Sequence, residues 1–565
     1  MRFLASFLAL FLTFVVHAQA AAQSRPALEK PAFEKKDECS VAGMVIKLAG
    51  SEPLRASNVQ LSSTDDRALS TSIVTDVGGR FTLKGIAPGH YRLRVSKNGF
   101  VDQQYGERKP GDPGSILTLR PGQDLKDLLF RMLPSAVISG RILDEDGDPL
   151  PLVQVSALRQ VYSDGKRKLA SEAQFQTNDL GEYRLFGLPP GKYFVSAVYH
   201  GRNYSLLQSG ASQKEADVEE MGYSRLYFPG TPDPARASPI AVKVGEEIPS
   251  VEFLMRRFPV FRIRGRVNDL TARRPGRDVN LMLVPKTTAL EWERADQQVR
   301  VDAQDGTFEI RDVLPGSYSL MAFLFDEGRA YSTRTSIEVS NSDLLGVAVT
   351  LSTGVTVSGR IVWDGPAALM ESGLHVIPSA VDRGIDVFTR NTRVDAGNLF
   401  TLQNIAEGTY RARVWGQSRD CYIKDVRYGS ATALEEGFTV SRSSPAPLEI
   451  TLSSRGARVQ GSVLDSDHLP AAGVRVVLVP DPRHRSRNDL FKSQTTDQYG
   501  HFDLRGIAPG EYKLFSWEEV EDGAWEDPEF LRLFEEKGEP VETKESDQKT
   551  VNLTAIRAGT PDQKP

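Results

Sequence analysis

The side chains able to do chemistry are few, and their spacing argues against catalysis. Seven histidines (His17, His90, His200, His375, His468, His484 and His501) are scattered along 565 residues, none followed by Glu three positions later and no two lying four apart. The helix-borne ligand pair of a zinc peptidase therefore has no counterpart, and no metal or cofactor site is expected. No Gly-x-Ser-x-Gly elbow occurs, and no glycine-rich phosphate loop ends in Gly-Lys-Ser/Thr. A carboxylate pair for glycoside hydrolysis leaves no motif, so an unrecognised hydrolase stays as the remote alternative. Asp144, Asp146 and Asp148 alternate around Gly147 in LDEDGDPLP, as calcium ligands would. An EF-hand loop closes on a bidentate Glu at its twelfth position, where Val155 stands, so the segment reads as a solvated turn.

Binding chemistry has better candidates. A sugar ring is held by an exposed aromatic face with polar groups beside it. Trp415 and Trp517 occupy equivalent strand positions, with Tyr199 and Phe323 near the matching place in other segments, and that regularity predicts core. Trp525 lies in EDGAWEDPEF, among carboxylates and outside any repeat, which makes it the leading ligand-binding candidate, ahead of Trp517 and Trp415. Residues 518–547 hold thirteen acidic side chains against Arg532, Lys537 and Lys544, the composition of a solvated face. Cys39 and Cys421 are too few for a disulfide scaffold or an iron–sulfur centre, and their separation gives no support for pairing.

The elements that must position these residues are repeats. A signature of acidic turn, Gly, aromatic, alternating apolar residues and a Gly corner recurs five times, at 75–93, 177–195, 301–320, 394–414 and 496–515. We read it as a hairpin, restarted at Gly89, Gly191, Gly316, Gly408 and Gly510 into a strand opened by Tyr91, Tyr193, Tyr318, Tyr410 or Tyr512. A second signature places Gly43, Gly140, Gly265, Gly359 and Gly461 at 46–51 residues before those corners. Successive copies lie 97, 125, 94 and 102 residues apart. That is the period of a β-sandwich, and the fold class is all-β. Boundaries are expected near 39–134, 135–259, 260–353, 354–456 and 457–558, with a tail at 559–565. The short links predict a bead-string or gently curved rod. One helix is expected, Asp527 to Glu536, with Asp527 capping and Pro528 in the first turn.

Lys+Arg 69 against Asp+Glu 74 leaves a net charge of −5, which gives no field for nucleic acid. Residues 1–20 carry Arg2, an apolar run from Phe3 to Val16, and Ala18-Gln19-Ala20, the pattern of a signal peptide cleaved before Ala21. Residues 21–38 follow as a flexible lead-in. The mature chain is expected to be exported, without a membrane span, to the periplasm, cell surface or exterior.

ISGRILDEDGDPLPLVQV (138–155), followed by TNDLGEYRLFGLPPGKYFV, resembles the carboxypeptidase regulatory-like domain. The fifth copy matches nearly as well, the third lacks the Gly-x-Pro turn, and the fourth has Glu407-Gly408 at the corner. The resemblance implies five tandem transthyretin-like (prealbumin-like) sandwiches of the carbohydrate-binding-like class, without a catalytic domain. It implies a non-catalytic exported binding or adhesion protein with glycan as ligand class. The alternative is a structural spacer, or a scaffold for an extracytoplasmic protein partner docking on strand edges or the loop Tyr223–Pro234.

Overall fold

The computed structural model describes residues 37–65, 69–163, 165–199, 221–269, 279–286, 298–299, 301–326, 329–367, 373–381 and 392–557. The expected signal peptide 1–20, the expected lead-in up to residue 36 and the tail 559–565 lie outside them. The described residues are 58% strand and 4% helix, which makes the fold all-β. Each sandwich has its main apolar core around Val41 and Leu93, Ile138 and Val195, Ile263 and Leu320, Val376 and Leu402, and Val459 and Leu514, and the second and fifth carry a smaller cluster besides.

The two signatures are explained by each other. Gly43 faces Phe81 across an antiparallel pair, and Gly140, Gly265, Gly359 and Gly461 face Tyr183, Phe308, Phe400 and Phe502 in the same way. A β-carbon on Gly265 would lie 2.5 Å from the Phe308 ring and 2.1 Å from the Val347 carbonyl oxygen. The glycine leaves the space that the aromatic ring fills, so each pair fixes strand register. The acidic residue before the turn caps it: Asp76 Oδ1 accepts from the amides of Gly78 and Arg80 at 2.9 and 2.8 Å. Beyond the corner, Tyr91, Tyr193, Tyr318, Tyr410 and Tyr512 each donate a hydroxyl hydrogen bond of 2.7–3.0 Å to the carbonyl four residues earlier. This clamps the corner from inside.

The expected hairpin is not one. Arg80–Ile86 pairs with Cys39–Lys47 in one sheet, while Ser70–Val74 and Gly89–Ser96 both pair with Asn58–Ser63 in the other. The fifth copy repeats this with His501–Ile507 against Ala457–Leu464, and Lys492–Thr495 and Gly510–Trp517 against Arg475–Pro480. The acidic turn and the glycine corner therefore both carry the chain from sheet to sheet. In these copies the central strand belongs to one layer, and the turns at its two ends bring the chain in from the other layer and return it there.

The string of beads is curved tightly enough to close. Gln498 of the fifth sandwich accepts from the Thr118 amide (3.1 Å) and donates to the Thr118 carbonyl (2.8 Å), capping an edge strand of the first sandwich. Arg108 donates to the Ala472 carbonyl at 3.0 Å, Thr495 to the Pro113 carbonyl at 3.2 Å, and Arg120 lies over Tyr499. From the fourth sandwich, Arg419 reaches Asp65 of the first at 3.4 Å. The predicted helix is shorter than expected, Pro528–Arg532, and Asp527 caps it by accepting from the Glu529 amide. No helix among the described residues is long and apolar enough to cross a membrane.

Candidate functional site

The strand Gly408–Trp415 alternates strictly. Tyr410 and Val414 point into the core with Ala412 packed against it, which puts Thr409, Arg411, Arg413 and Trp415 on the outer face. On the neighbouring strand His375–Ala380, the residues facing Trp415, Arg413 and Arg411 are His375, Ile377 and Ser379. On the far side of His375 stands Arg393. One row across three strands thus reads Arg393, His375, Trp415, and one column down a strand reads Trp415, Arg413, Arg411. Neighbours are about 5 Å apart along the row and about 7 Å along the column. Trp415 is 53% exposed. This contradicts the expected core position and makes it a candidate that repeat spacing alone ranks last.

Trp517, at the same place in the fifth sandwich, is 1% exposed. There the outer face is apolar, with Val477 opposite Phe515 and Arg475 opposite Trp517, and residues 524–534 fold over it. Phe515 stacks on Trp517 at 4.9 Å, and Phe534 meets Trp517 edge-on at 5.7 Å. Trp525, the leading sequence candidate, is part of this cover and only 5% exposed, with the Arg475 guanidinium 5.1 Å from its ring centroid. Neither Trp517 nor Trp525 presents a ring face to a ligand. The correction has one cause: the polar segment around Trp525 is amphipathic, and Trp525, Leu531 and Phe534 turn inward together.

The outer face of the fourth sandwich runs into a cleft of about 450 Å³ against the fifth, lined by Arg411, Glu435, Glu436, Arg483, His484 and Ser486. Arg411 donates to the Glu435 carbonyl oxygen at 3.3 Å, and its buried Nε has no hydrogen-bond partner. The Glu435 carboxylate is engaged by His484 Nδ1 at 3.2 Å and Arg487 at 3.6 Å. Arg487 is fixed in turn by Asp489 at 2.7 Å. The opening is thus polar, with Glu435 engaged by two basic side chains and Glu436 beside it without an ion pair among the described residues.

Other features are absorbed structurally. Asp144 Oδ1 accepts from the amides of Asp146 and Asp148, so the aspartate-rich loop is a capped turn. Among the described residues no group of three or more His, Cys, Asp or Glu is placed to hold a metal ion. The acidic stretch is partly spent on ion pairs: Asp522 with Arg475, Glu535 with Arg485 and Lys513, and Glu545 with Lys424. Cys39 and Cys421 are buried, and neither forms a disulfide. The loop from Tyr223 packs on its own sandwich, through Tyr199 against Tyr223 and Phe228 against Phe253.

Residues 40–132 and 137–210 match the carboxypeptidase regulatory-like domain. The chain carries this domain in tandem. Similar solved structures include the TIE protein of Bacillus anthracis, at 13% identity over 56% of this chain and 51% of that one, with a TM-score of 0.16. The major pilin subunit of Bacillus cereus is similar at 11% identity over 56% of this chain and 100% of its own (TM-score 0.14). A minor pilin of Streptococcus agalactiae is similar at 13% over 39% of this chain and 96% of its own (TM-score 0.22). Likeness at this level carries no functional argument. No curated protein matches the chain.

Proposed function

We propose that this chain is a non-catalytic, exported binding or adhesion protein that takes carbohydrate on the outer sheet of its fourth sandwich. One observation carries the reading: the same strand position is roofed over in the fifth sandwich and open in the fourth, where Trp415 stands 53% exposed between His375 and Arg413. An open tryptophan on a flat sheet offers apolar stacking, and the polar groups around it can satisfy hydroxyls. Export is supported by the signal-like residues 1–20. The regulatory-like domains supply the scaffold and leave catalysis out of the reading.

The test is a glycan array probed with the mature chain and with Trp415→Ala. Hits are expected for the native chain, and the substitution should weaken them by about 1–3 kcal/mol, the scale of one aromatic contact. Trp525→Ala should lower stability instead. An array without hits, or hits indifferent to Trp415→Ala, overturns the carbohydrate reading and leaves the docking scaffold.

A further inference from the structure

We propose that the ligand of this outer sheet is an acidic polysaccharide, a chain of uronate residues whose carboxylates meet Arg393 and Arg413 while one sugar ring lies on Trp415. The inference rests on the binding reading above and narrows it to a charge class. Elsewhere in the molecule, several outward arginines on sheets have a carboxylate on the adjacent strand. Arg141 has Glu182, Arg264 has Glu309, Arg360 has Glu449 and Arg458 has Asp503. The outer sheet of the fourth sandwich has no such pair among its described residues. Arg393 and Arg413 have no ion-pair partner among the described residues, and Arg411 binds only a backbone carbonyl. The outward positions of the four strands hold Arg393, His375, Ile377, Ser379, Thr409, Arg411, Arg413, Trp415 and Thr439, with no carboxylate among them.

Three unpaired guanidinium groups around an open tryptophan call for a ligand that is both planar-faced and anionic. A guanidinium fork matches a planar carboxylate through two parallel hydrogen bonds. A uronate chain repeats a carboxylate along its length, so a ring stacked on Trp415 brings neighbouring carboxylates toward Arg413, about 7 Å away, and Arg393, about 10 Å across the sheet. Arg411 continues the column to the edge of the cleft, whose lining includes Glu435, held by His484 and Arg487, and Glu436, which has no ion pair among the described residues, so the polyanion lies on the Arg393–Arg413 side of Trp415. Each exposed pair is weak, so the preference depends on several acting on one polymer.

The experiment is isothermal titration of the full mature chain with hexagalacturonate and with cellohexaose, at low salt and at about 0.5 M sodium chloride. Hexagalacturonate should bind roughly tenfold tighter at low salt, the product of two exposed pairs, and the preference should vanish at high salt. R393Q and R413Q should each cut uronate affinity about two- to threefold and leave cellohexaose unchanged, whereas W415A weakens both. All three side chains are outward and their loss leaves the core intact, which circular dichroism checks. Equal affinity for the two hexamers, or stronger binding of dextran sulfate than of the uronate, overturns this inference alone. If neither hexamer binds, the carbohydrate reading falls with it.

Discussion

Gly461 has no space behind it. A β-carbon there would sit 1.8 Å from the Val551 carbonyl oxygen and 3.2 Å from the Phe502 ring. Ala at this position must push apart the parallel contact with residues 548–551 or tilt Phe502 out of the core. Gly461→Ala should therefore destabilise the fifth sandwich by about 3 kcal/mol, the upper range for overpacking. Fluorescence of Trp517 and Trp525 during urea unfolding, in a background with Trp292, Trp363 and Trp415 replaced by Phe, reads that sandwich, and an unchanged midpoint would count against the pairing. The same logic explains why the repeat was legible in the sequence. A glycine and an aromatic that must face each other across two strands leave a fixed interval between them, and five copies make the interval visible. Nothing comparable marks Arg413 or Arg393, since an outward arginine looks the same whether or not a carboxylate meets it.

At the scale of elements, alternation and turn chemistry identified the strands but not their partners. A capped Asp turn with a glycine at positive φ serves a hairpin and a sheet crossing equally well, and the choice is made by Cys39–Lys47 and Asn58–Ser63, far upstream of the turn. Trp415 and Trp517 illustrate the same limit. Their local sequence places them identically, and residues 524–534 decide their burial. That cover is held by apolar contact: Leu531 is fully buried, and Phe530 lies 5.9 Å from Trp517. Leu531→Ala should cost about 2–4 kcal/mol by the usual scale for emptying a buried leucine site. It should also expose Trp517 to quenchers such as acrylamide while the strand signal in circular dichroism persists. Quenching unchanged from the native chain would show that the segment is no cover.

At the scale of the whole molecule, the closed string makes the first sandwich answerable to the fifth. The loop between Gln104 and Ser115 carries Arg108 and Pro113 to the fifth sandwich, and a β-carbon on Gly473 would lie 2.3 Å from the Gly106 carbonyl oxygen. Glu107 organises that loop by accepting from the amides of Gln104 and Gly111, both at 2.6 Å. Burial pushes its carboxyl up to about 7, against the opposing pull of those two hydrogen bonds. A carboxyl whose folded value is raised binds a proton in the native state before the unfolded one, so its contribution favours folding at low pH and is lost as pH rises from about 4.5 to about 7. The shift corresponds to a change of order 3 kcal/mol across that window. The thermal midpoint of the first sandwich should fall between pH 5 and pH 8, and Glu107→Gln should flatten the slope; a slope unchanged in the variant would assign the titration elsewhere. Closure itself is tested by size. A fully compact chain of this length has a radius of gyration of about 24 Å, and an open row of five sandwiches is considerably longer. Removing the side chains that bridge the ends, Arg108→Ala with Gln498→Ala and Tyr499→Ala, should raise the radius measured by small-angle scattering by several ångström, roughly, toward the open value, and leave circular dichroism unchanged. A native chain already at the open value would mean that the two ends do not meet in solution, and Gln498 would then leave the edge strand at Thr118 free to pair with another chain.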